Sequence, residues 1–275
     1  MRLPEYISNV GEAAEEIRKR VKSLPDLAII LGTGLDKLAD IIQVDESIPY
    51  ASIPHFPQST VSSHAGELVF GTVESRPVIA MRGRMHLYEG YSAWEVTFPI
   101  RVLSELGVRT LIVSNACGGM NPDYRAGDLM LIADHINLMG HNPLEGANND
   151  EWGPRFPDMS DPYTSSLREL THVVAAESGV SIHEGVYLAV VGPNLETRAE
   201  YRMLRRMGGD VVGMSTVPEV LVANHMDMSV LAISVITDEC FPDVLQPVSL
   251  EDVLAAAAKA SPPLIELLRN LIPRI

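Results

Sequence analysis

The sequence predicts an α/β fold in which helices alternate with mostly buried strands. Short apolar runs such as residues 27–31 and 229–236 show no polar alternation, which is typical of strands covered on both faces. Segments with helical spacing or capping signals separate these runs. No repeat, linker or low-complexity tract divides the chain, so we expect one domain over residues 1–275.

Helices are predicted from amphipathic spacing and from signals at their ends. Ser92-x-x-Glu95 is a capping box, and Gly107 suits the other end of the helix that it opens. The same spacing recurs at Thr197-x-x-Glu200 and Thr216-x-x-Glu219. In chain order, helices are predicted at residues 4–22, 92–107, 165–178, from 197, from 216 and at 249–271.

Strands are predicted at residues 27–31, 67–73, 77–81, 109–114, 128–133, 185–191 and 229–236, whereas residues 141–163 are expected to form a loop. In α/β sheets, ligands bind beyond the carboxyl ends of strands, and glycines there let backbone N–H groups approach an anion. One such loop is a weak signal, because glycine commonly ends strands. Four together indicate a phosphate-sized ligand, namely residues 32–34, 115–119, 192–197 and 213–216.

The composition excludes several functions. With 46% hydrophobic residues, 275 residues can bury a core without disulfides. A net charge of −15 disfavours binding to nucleic acid or anionic membranes, so an anionic substrate would need a local cationic site. Two cysteines without metal-binding spacing suggest a reducing cytoplasm, and no apolar run is long enough to span a membrane.

Known catalytic and nucleotide-binding motifs are incomplete in this chain. Lys37 stands where a dinucleotide-binding motif beginning at Gly32 needs its third glycine. Val217 stands where a serine hydrolase motif around Ser215 needs its last glycine, so a serine hydrolase is a weak alternative. The histidines are scattered, and no metal site is expected.

The segment at residues 82–90 carries the strongest chemical signal. In an extended run Arg84, His86 and Tyr88 would point to one side and offer a guanidinium, an imidazole and a phenol. These groups suit a phosphate next to a sugar, although a solvated basic loop is the alternative. His64 by itself fits a structural histidine as well as a ligand.

Eight segments strongly resemble the trimeric class of purine nucleoside phosphorylases. They are HAGELVFG, GRMHLYEGY, TFPIRVLSELGV, SNACGGMNP, GDLMLIADHINL, RFPDMSDPY, GPNLETRAEYRML and VVGMSTVPEV. This resemblance implies a mixed central sheet flanked by helices, a homotrimer and no cofactor. It also implies phosphorolysis of purine (2′-deoxy)ribonucleosides to free purine and (deoxy)ribose 1-phosphate, with inorganic phosphate as co-substrate, in purine salvage.

The resemblance also implies roles for individual residues. His86, Glu196 and Asp238 match the catalytic positions. The nucleoside is expected to contact Tyr88, Leu195 and Met214, with Phe156 reaching into the neighbouring subunit's site. The phosphate site matches Thr33, His64, Arg84, His86, the backbone of Ala116, and Ser215.

Two positions depart from the family pattern. Asp238 stands where 6-oxopurine enzymes usually have asparagine, and the related methylthioadenosine phosphorylases also have an aspartate at this position. Ser249 or Leu250 stands where relatives have a histidine near the 5′-hydroxyl. An ionised aspartate accepts from a 6-amino group, so adenosine turnover relative to inosine is expected to rise with pH if Asp238 titrates. Because Glu196 would repel adenine N1, 6-oxopurine nucleosides are the first choice and adenosine-type substrates the alternative.

Two other functions remain possible at this point. A nucleoside binder without activity would not need both Arg84 and His86 at the anion position. A glycosidase that uses water would need a positioned carboxylate and would act without phosphate. Phosphate-dependent release of base distinguishes both from a phosphorylase.

Overall fold

Nine strands form one sheet in the computed structural model, which describes residues 2–60 and 65–275. Parallel and antiparallel neighbours are interspersed, so the sheet is mixed, as the resemblance implies. The strands are β1 (Leu27–Leu31), β2 (Gln43–Pro49), β3 (Glu67–Val73), β4 (Arg76–Arg82), β5 (Thr110–Gly119), β6 (Leu129–Asn137), β7 (His183–Ala189), β8 (Val211–Gly213) and β9 (Ser229–Glu239). Their order in the sheet is β2-β3-β4-β1-β5-β8-β7-β6-β9.

Helices cover both faces of the sheet, which explains why its central strands are apolar throughout. The helices are α1 (Leu3–Arg20), α2 (Ala93–Glu105), α3 (Ser165–Ser178), α4 (Arg198–Arg206), α5 (Val217–His225) and α6 (Leu250–Leu271). In β1, Ala28 and Ile30 face a core built with α1, α2 and α5, whereas Leu27, Ile29 and Leu31 face a core built with α3 and α6. None of the helices in residues 2–60 and 65–275 is long and apolar enough to cross a membrane.

Part of the sheet closes on itself. Residues 110–113 of β5 pair with β1 on one side and β9 on the other, and Gly118 and Gly119 pair with β8. Because β9 also pairs with β6, the strands β5, β8, β7, β6 and β9 form a ring. The ring brings the ends of β5, β8 and β9 together.

Three local predictions about the strands were wrong. Residues 115–119 continue β5 instead of forming a loop, because their small side chains let the strand pair closely with β9. A Cβ at Gly118 would lie 2.4 Å from Cys240 Sγ. Strand β2 was missed because only Ile48 in it is buried, and β8 because it has three residues.

The capping signals were correct at two helices and wrong at a third. The Ser92 Oγ accepts the Glu95 N–H, and the Glu95 carboxylate accepts the Ser92 N–H in return. Thr197 and Glu200 form the same box at α4. At α5, Thr216 makes no capping bond, because its Oγ1 accepts from Asn115 Nδ2 instead, and Glu219 pairs with Arg84. Residues 141–163 form a loop, as predicted.

Candidate active site

A cavity of about 200 Å³ lies where β1, β4, β5, β8 and β9 end. Several chain segments that are distant in sequence meet there, as expected for a ligand site at the ends of strands. The structure brings eleven of the predicted site residues to its walls: Thr33, Arg84, His86, Tyr88, Ala116, Leu195, Glu196, Met214, Ser215, Asp238 and Leu250.

Arg84 provides a buried positive charge at one end of the cavity. Its side chain is only 2% exposed, and its Nη1 donates to the Ser215 Oγ at 2.9 Å. Its Nε lies 3.2 Å from an Oε of Glu219, which is also buried. This ion pair fixes the plane of the guanidinium, so its remaining N–H groups are oriented before an anion arrives.

A strained turn places Ser215 opposite Arg84. Thr216 has φ 68° and ψ −56°, and the Val217 N–H donates to the Ser215 carbonyl at 2.7 Å, which defines a γ-turn. Asn115 Nδ2 supports the turn by donating to the Thr216 Oγ1 at 3.0 Å. A β-branched residue in this conformation costs about 1–3 kcal/mol, and such strain concentrates at functional sites.

His86 is oriented by a buried carboxylate. Its Nδ1 lies 2.9 Å from Glu89 Oε1, and its ring stacks on Tyr88 with centroids 4.6 Å apart. Burial alone would raise the pKa of Glu89, but hydrogen bonds from His86 and Thr60 outweigh it and lower this pKa to about 2. Glu89 is therefore an anion at neutral pH and favours the His86 form that carries a proton on Nδ1.

Asp238 lies at the other end of the cavity, with Thr237 and Cys240 beside its two oxygens. The Thr237 Oγ1 lies 2.9 Å from Oδ1 and 3.1 Å from the Cys117 carbonyl, and its single proton can be donated to one of these two acceptors. The Cys240 thiol donates to Oδ2 at 3.0 Å. An ionised aspartate here can accept but not donate, whereas a protonated one can donate one hydrogen bond. Burial, with the nearby charge of Asp238, raises the pKa of the Cys240 thiol, so it stays a donor.

Glu196 shares this end of the cavity with Asp238. Burial raises the pKa of Glu196, and the charge of Asp238 raises it further. Burial and the neighbouring carboxyl group therefore make Glu196 a weaker acid than an exposed glutamate. The cavity thus has a cationic end around Arg84 and an end with two carboxyl groups around Asp238.

Known proteins that are similar to this chain identify the family to which it belongs. Residues 26–273 match the phosphorylase superfamily. The chain is 49% identical to purine nucleoside phosphorylase 1 of Bacillus subtilis (strain 168) over 96% of its length and 97% of that protein. The chain belongs to the purine nucleoside phosphorylase family.

Further relatives extend this purine nucleoside phosphorylase assignment to an animal sequence and to solved structures. Identity to the Bos taurus purine nucleoside phosphorylase is 44%, over 96% of this chain and 94% of that one. A Schistosoma mansoni purine nucleoside phosphorylase, solved with cytosine and ribose-1-phosphate, superposes with a TM-score of 0.93 at 44% identity, covering 98% and 96% of the two chains. The chain is accordingly an enzyme of the purine nucleoside phosphorylase type.

Three of the predicted site residues of this phosphorylase need separate comment. Phe156 does not line the cavity of its own chain and is 85% exposed. His64 lies outside the described residues. Of the two candidates near the 5′-hydroxyl, Leu250 lines the cavity, whereas Ser249 caps α6 by accepting the Asp252 N–H.

The structure adds residues that the sequence analysis did not single out for this phosphorylase. Glu219 pairs with Arg84, Asn115 supports the γ-turn, and Thr237 and Cys240 bind Asp238. The last two flank Asp238 in the segment Thr237-Asp238-Glu239-Cys240, so their spacing was the available signal. The spacing of Glu219 from Thr216 indicates a capping box, and this local pattern gives no sign of the contact between Glu219 and Arg84.

Proposed function

We propose that the enzyme acts on 6-oxopurine nucleosides, inosine and guanosine, and transfers their pentosyl group to inorganic phosphate in purine salvage. The observation that carries this proposal is the pairing of Arg84 and Ser215 at one end of the cavity with Glu196 at the other. The relatives support it, since a Schistosoma purine nucleoside phosphorylase, 44% identical to this chain, was solved in complex with hypoxanthine. The products are free purine and (deoxy)ribose 1-phosphate.

The residues around Arg84 are proposed to act by positioning the phosphate. Phosphate is already an anion, so it needs orientation more than activation by a base. Arg84 and Ser215 would hold it, with Thr33, His86 and the backbone of Ala116 completing the site. The anion held beneath C1′ stabilises the positive charge that develops on the sugar, and we propose that the enzyme needs no further cofactor.

The other end of the cavity holds the purine as it departs. The ring gains negative charge as the glycosidic bond breaks, and a hydrogen-bond donor toward N7 or O6 stabilises that charge. Asp238 can supply such a donor only in its protonated form. The ionised Glu196 accepts the N1–H of a 6-oxopurine, which selects that tautomer and orients the base. Tyr88 and Met214 also line the cavity, and we assign them to the sugar.

Release of hypoxanthine from inosine is expected to require inorganic phosphate and to survive treatment with a chelator. Chromatography should show hypoxanthine and ribose 1-phosphate in equal amounts. Release of hypoxanthine in phosphate-free buffer would instead indicate a hydrolase, and binding of inosine without turnover would indicate a nucleoside binder. Either result contradicts the proposal.

Adenosine-type nucleosides are the second candidate substrates, and the presence of an aspartate at position 238 favours them. An ionised Asp238 accepts from the Cys240 thiol at 3.0 Å and can also accept from a 6-amino group. A relative is consistent with this candidate, since a Schistosoma mansoni purine nucleoside phosphorylase was solved with adenosine at 42% identity.

Asp238→Asn is expected to shift selectivity from adenosine toward inosine by about 1–3 kcal/mol, the scale of a buried donor–acceptor mismatch. The pH trend is expected to follow Glu196, whose pKa is raised by burial and by Asp238. Below this pKa the neutral carboxyl can donate to adenine N1, and above it the carboxylate accepts the N1–H of inosine. The adenosine-to-inosine ratio should therefore fall as pH rises, the reverse of the trend expected from titration of Asp238.

Both substrates would be assayed side by side across pH for the parent and the variant. Removing the Asp238 charge should lower the pKa of Glu196, so the fall in the ratio should begin at a lower pH in Asp238→Asn. Asp243→Asn is a matched control, because that carboxylate is exposed on the following loop. Identical ratios for parent and variant at every pH would show that Asp238 does not read position 6.

We also propose a cytoplasmic homotrimer in which Phe156 completes the neighbouring subunit's site. Phe156→Ala is expected to raise KM for inosine about tenfold, since truncating a buried aromatic contact costs more than 1 kcal/mol. Light scattering should give a trimer for the parent. Val173→Ala, which removes an exposed apolar group from α3, should leave KM unchanged. A fully active monomer would contradict this proposal.

A further inference from the structure

A second cavity adjoins the end of the active site that holds the carboxyl groups. Its volume is about 390 Å³. The two cavities share Leu195, Glu196, Tyr201 and Asp238 as wall residues. We call this second cavity the annex; its other walls are Arg198, Leu245, Gln246, Pro247 and Val248.

Residues 242–245, which we call the roof of the annex, are bound to α4. Arg198 Nη1 donates to the Pro242 carbonyl at 2.8 Å, and its Nη2 donates to the Leu245 carbonyl at 3.3 Å. Arg202 adds an ion pair with Asp243 at 2.6 Å. These contacts hold residues 242–245 against the start of α4, so the space beneath the roof is a defined part of the fold.

The annex has carboxyl groups in the wall that it shares with the active site and is mostly apolar elsewhere. Glu196 and Asp238 belong to the shared wall, and three of the five other wall residues, Leu245, Pro247 and Val248, are apolar. The guanidinium of Arg198, another of the five, donates to the carbonyls of Pro242 and Leu245. A group that donates to a carboxylate and carries an apolar part therefore suits the annex. Burying the apolar part removes its surface from water and strengthens binding.

The structure assigns the annex as a subsite for an apolar substituent carried on nitrogen at position 6 of the purine. This inference rests on the proposed function, in which the base lies with Glu196 at N1 and Asp238 at position 6. The edge of the base between those two atoms then faces the annex. A 6-alkylamino or 6-arylalkylamino group keeps one N–H, which can donate to an ionised Asp238. A carboxylate has acceptor capacity beyond the bond that it receives from the Cys240 thiol.

The test compares two free bases, adenine and N6-benzyladenine, as inhibitors of inosine phosphorolysis. We expect N6-benzyladenine to bind about tenfold more tightly than adenine, because the benzyl group is buried in the annex. N6-benzyladenosine should also be phosphorolysed. Equal or weaker inhibition by the benzyl compound would overturn the assignment.

Two matched variants locate the effect. Gln246→Trp puts an indole into the annex from an exposed wall position and should abolish the advantage of N6-benzyladenine while changing inhibition by adenine less than about threefold. Val244→Trp adds the same indole at an exposed position of the same loop that does not line the annex, and it should leave both inhibitors unchanged. An equal effect of Gln246→Trp on both bases would contradict the subsite. An enzyme that does not phosphorolyse inosine at all would instead refute the proposed function.

Discussion

Replacing Arg84 with alanine is expected to lower kcat/KM for phosphorolysis by about 2–4 kcal/mol, or roughly 30- to 1,000-fold. Arg84 is buried at the cationic end of the cavity, where its interaction with an anion is weakly screened by water. The loss should therefore appear mainly in steps that involve phosphate. Steady-state kinetics with phosphate as the varied substrate should show a large rise in its KM as well as a lower kcat.

Arg82→Ala is the matched control for this measurement. Arg82 ends β4 two residues earlier and pairs with Glu67 at 2.6 Å, and it does not line the cavity. Its replacement should leave the KM for phosphate close to the parental value. Parental kinetics in Arg84→Ala, or an equal effect of the two substitutions, would remove Arg84 from the proposed phosphate site.

The predictability of the fold from its sequence depended on burial. Strand β1 was found because helices cover both of its faces, so every residue in it is apolar and buried. Strand β2 follows the opposite rule, with all residues but Ile48 exposed at the edge of the sheet, and its polar sequence resembles a loop. The closure of part of the sheet into a ring depends on pairing between distant strands such as β5 and β9, which no local pattern reports.

The sequence predicted which residues line the site better than it predicted how they interact. The spacing of Arg84, His86 and Tyr88 indicated an anion and sugar site, and the three side chains do line one cavity. They do so from an irregular segment and a short 3₁₀ turn at Leu87–Glu89, not from an extended run. Chain spacing thus identified the residues, although the backbone that orients them was different.

Glu219 shows why the remaining features were not predictable. Its spacing from Thr216 fits a capping box, a local pattern that many helices use. In the fold, Thr216 instead occupies the γ-turn, and the Glu219 carboxylate pairs with Arg84, which follows β4 far away in the sequence. A tertiary ion pair between buried groups therefore overrides the local signal.

Glu219→Gln is expected to lower the free energy of unfolding in phosphate-free buffer by about 3–5 kcal/mol, the usual cost of removing one partner from a buried ion pair. The amide keeps the size and shape of the carboxylate beside Arg84 Nε, but it no longer balances the charge of the guanidinium. A bound phosphate would restore that balance. Phosphate should therefore stabilise the variant more than the parent, and the KM for phosphate should fall even though the protein is less stable.

Urea unfolding with and without phosphate would measure both effects. Glu169→Gln, on the exposed side of α3, is the matched control and should change neither quantity. A double variant, Arg84→Met with Glu219→Leu, should be more stable than Glu219→Gln in the absence of phosphate, because it buries no unbalanced charge. It should also lose the stabilisation by phosphate. Equal unfolding free energies for the parent and Glu219→Gln, or equal stabilisation of both by phosphate, would show that Glu219 does not balance the charge of Arg84.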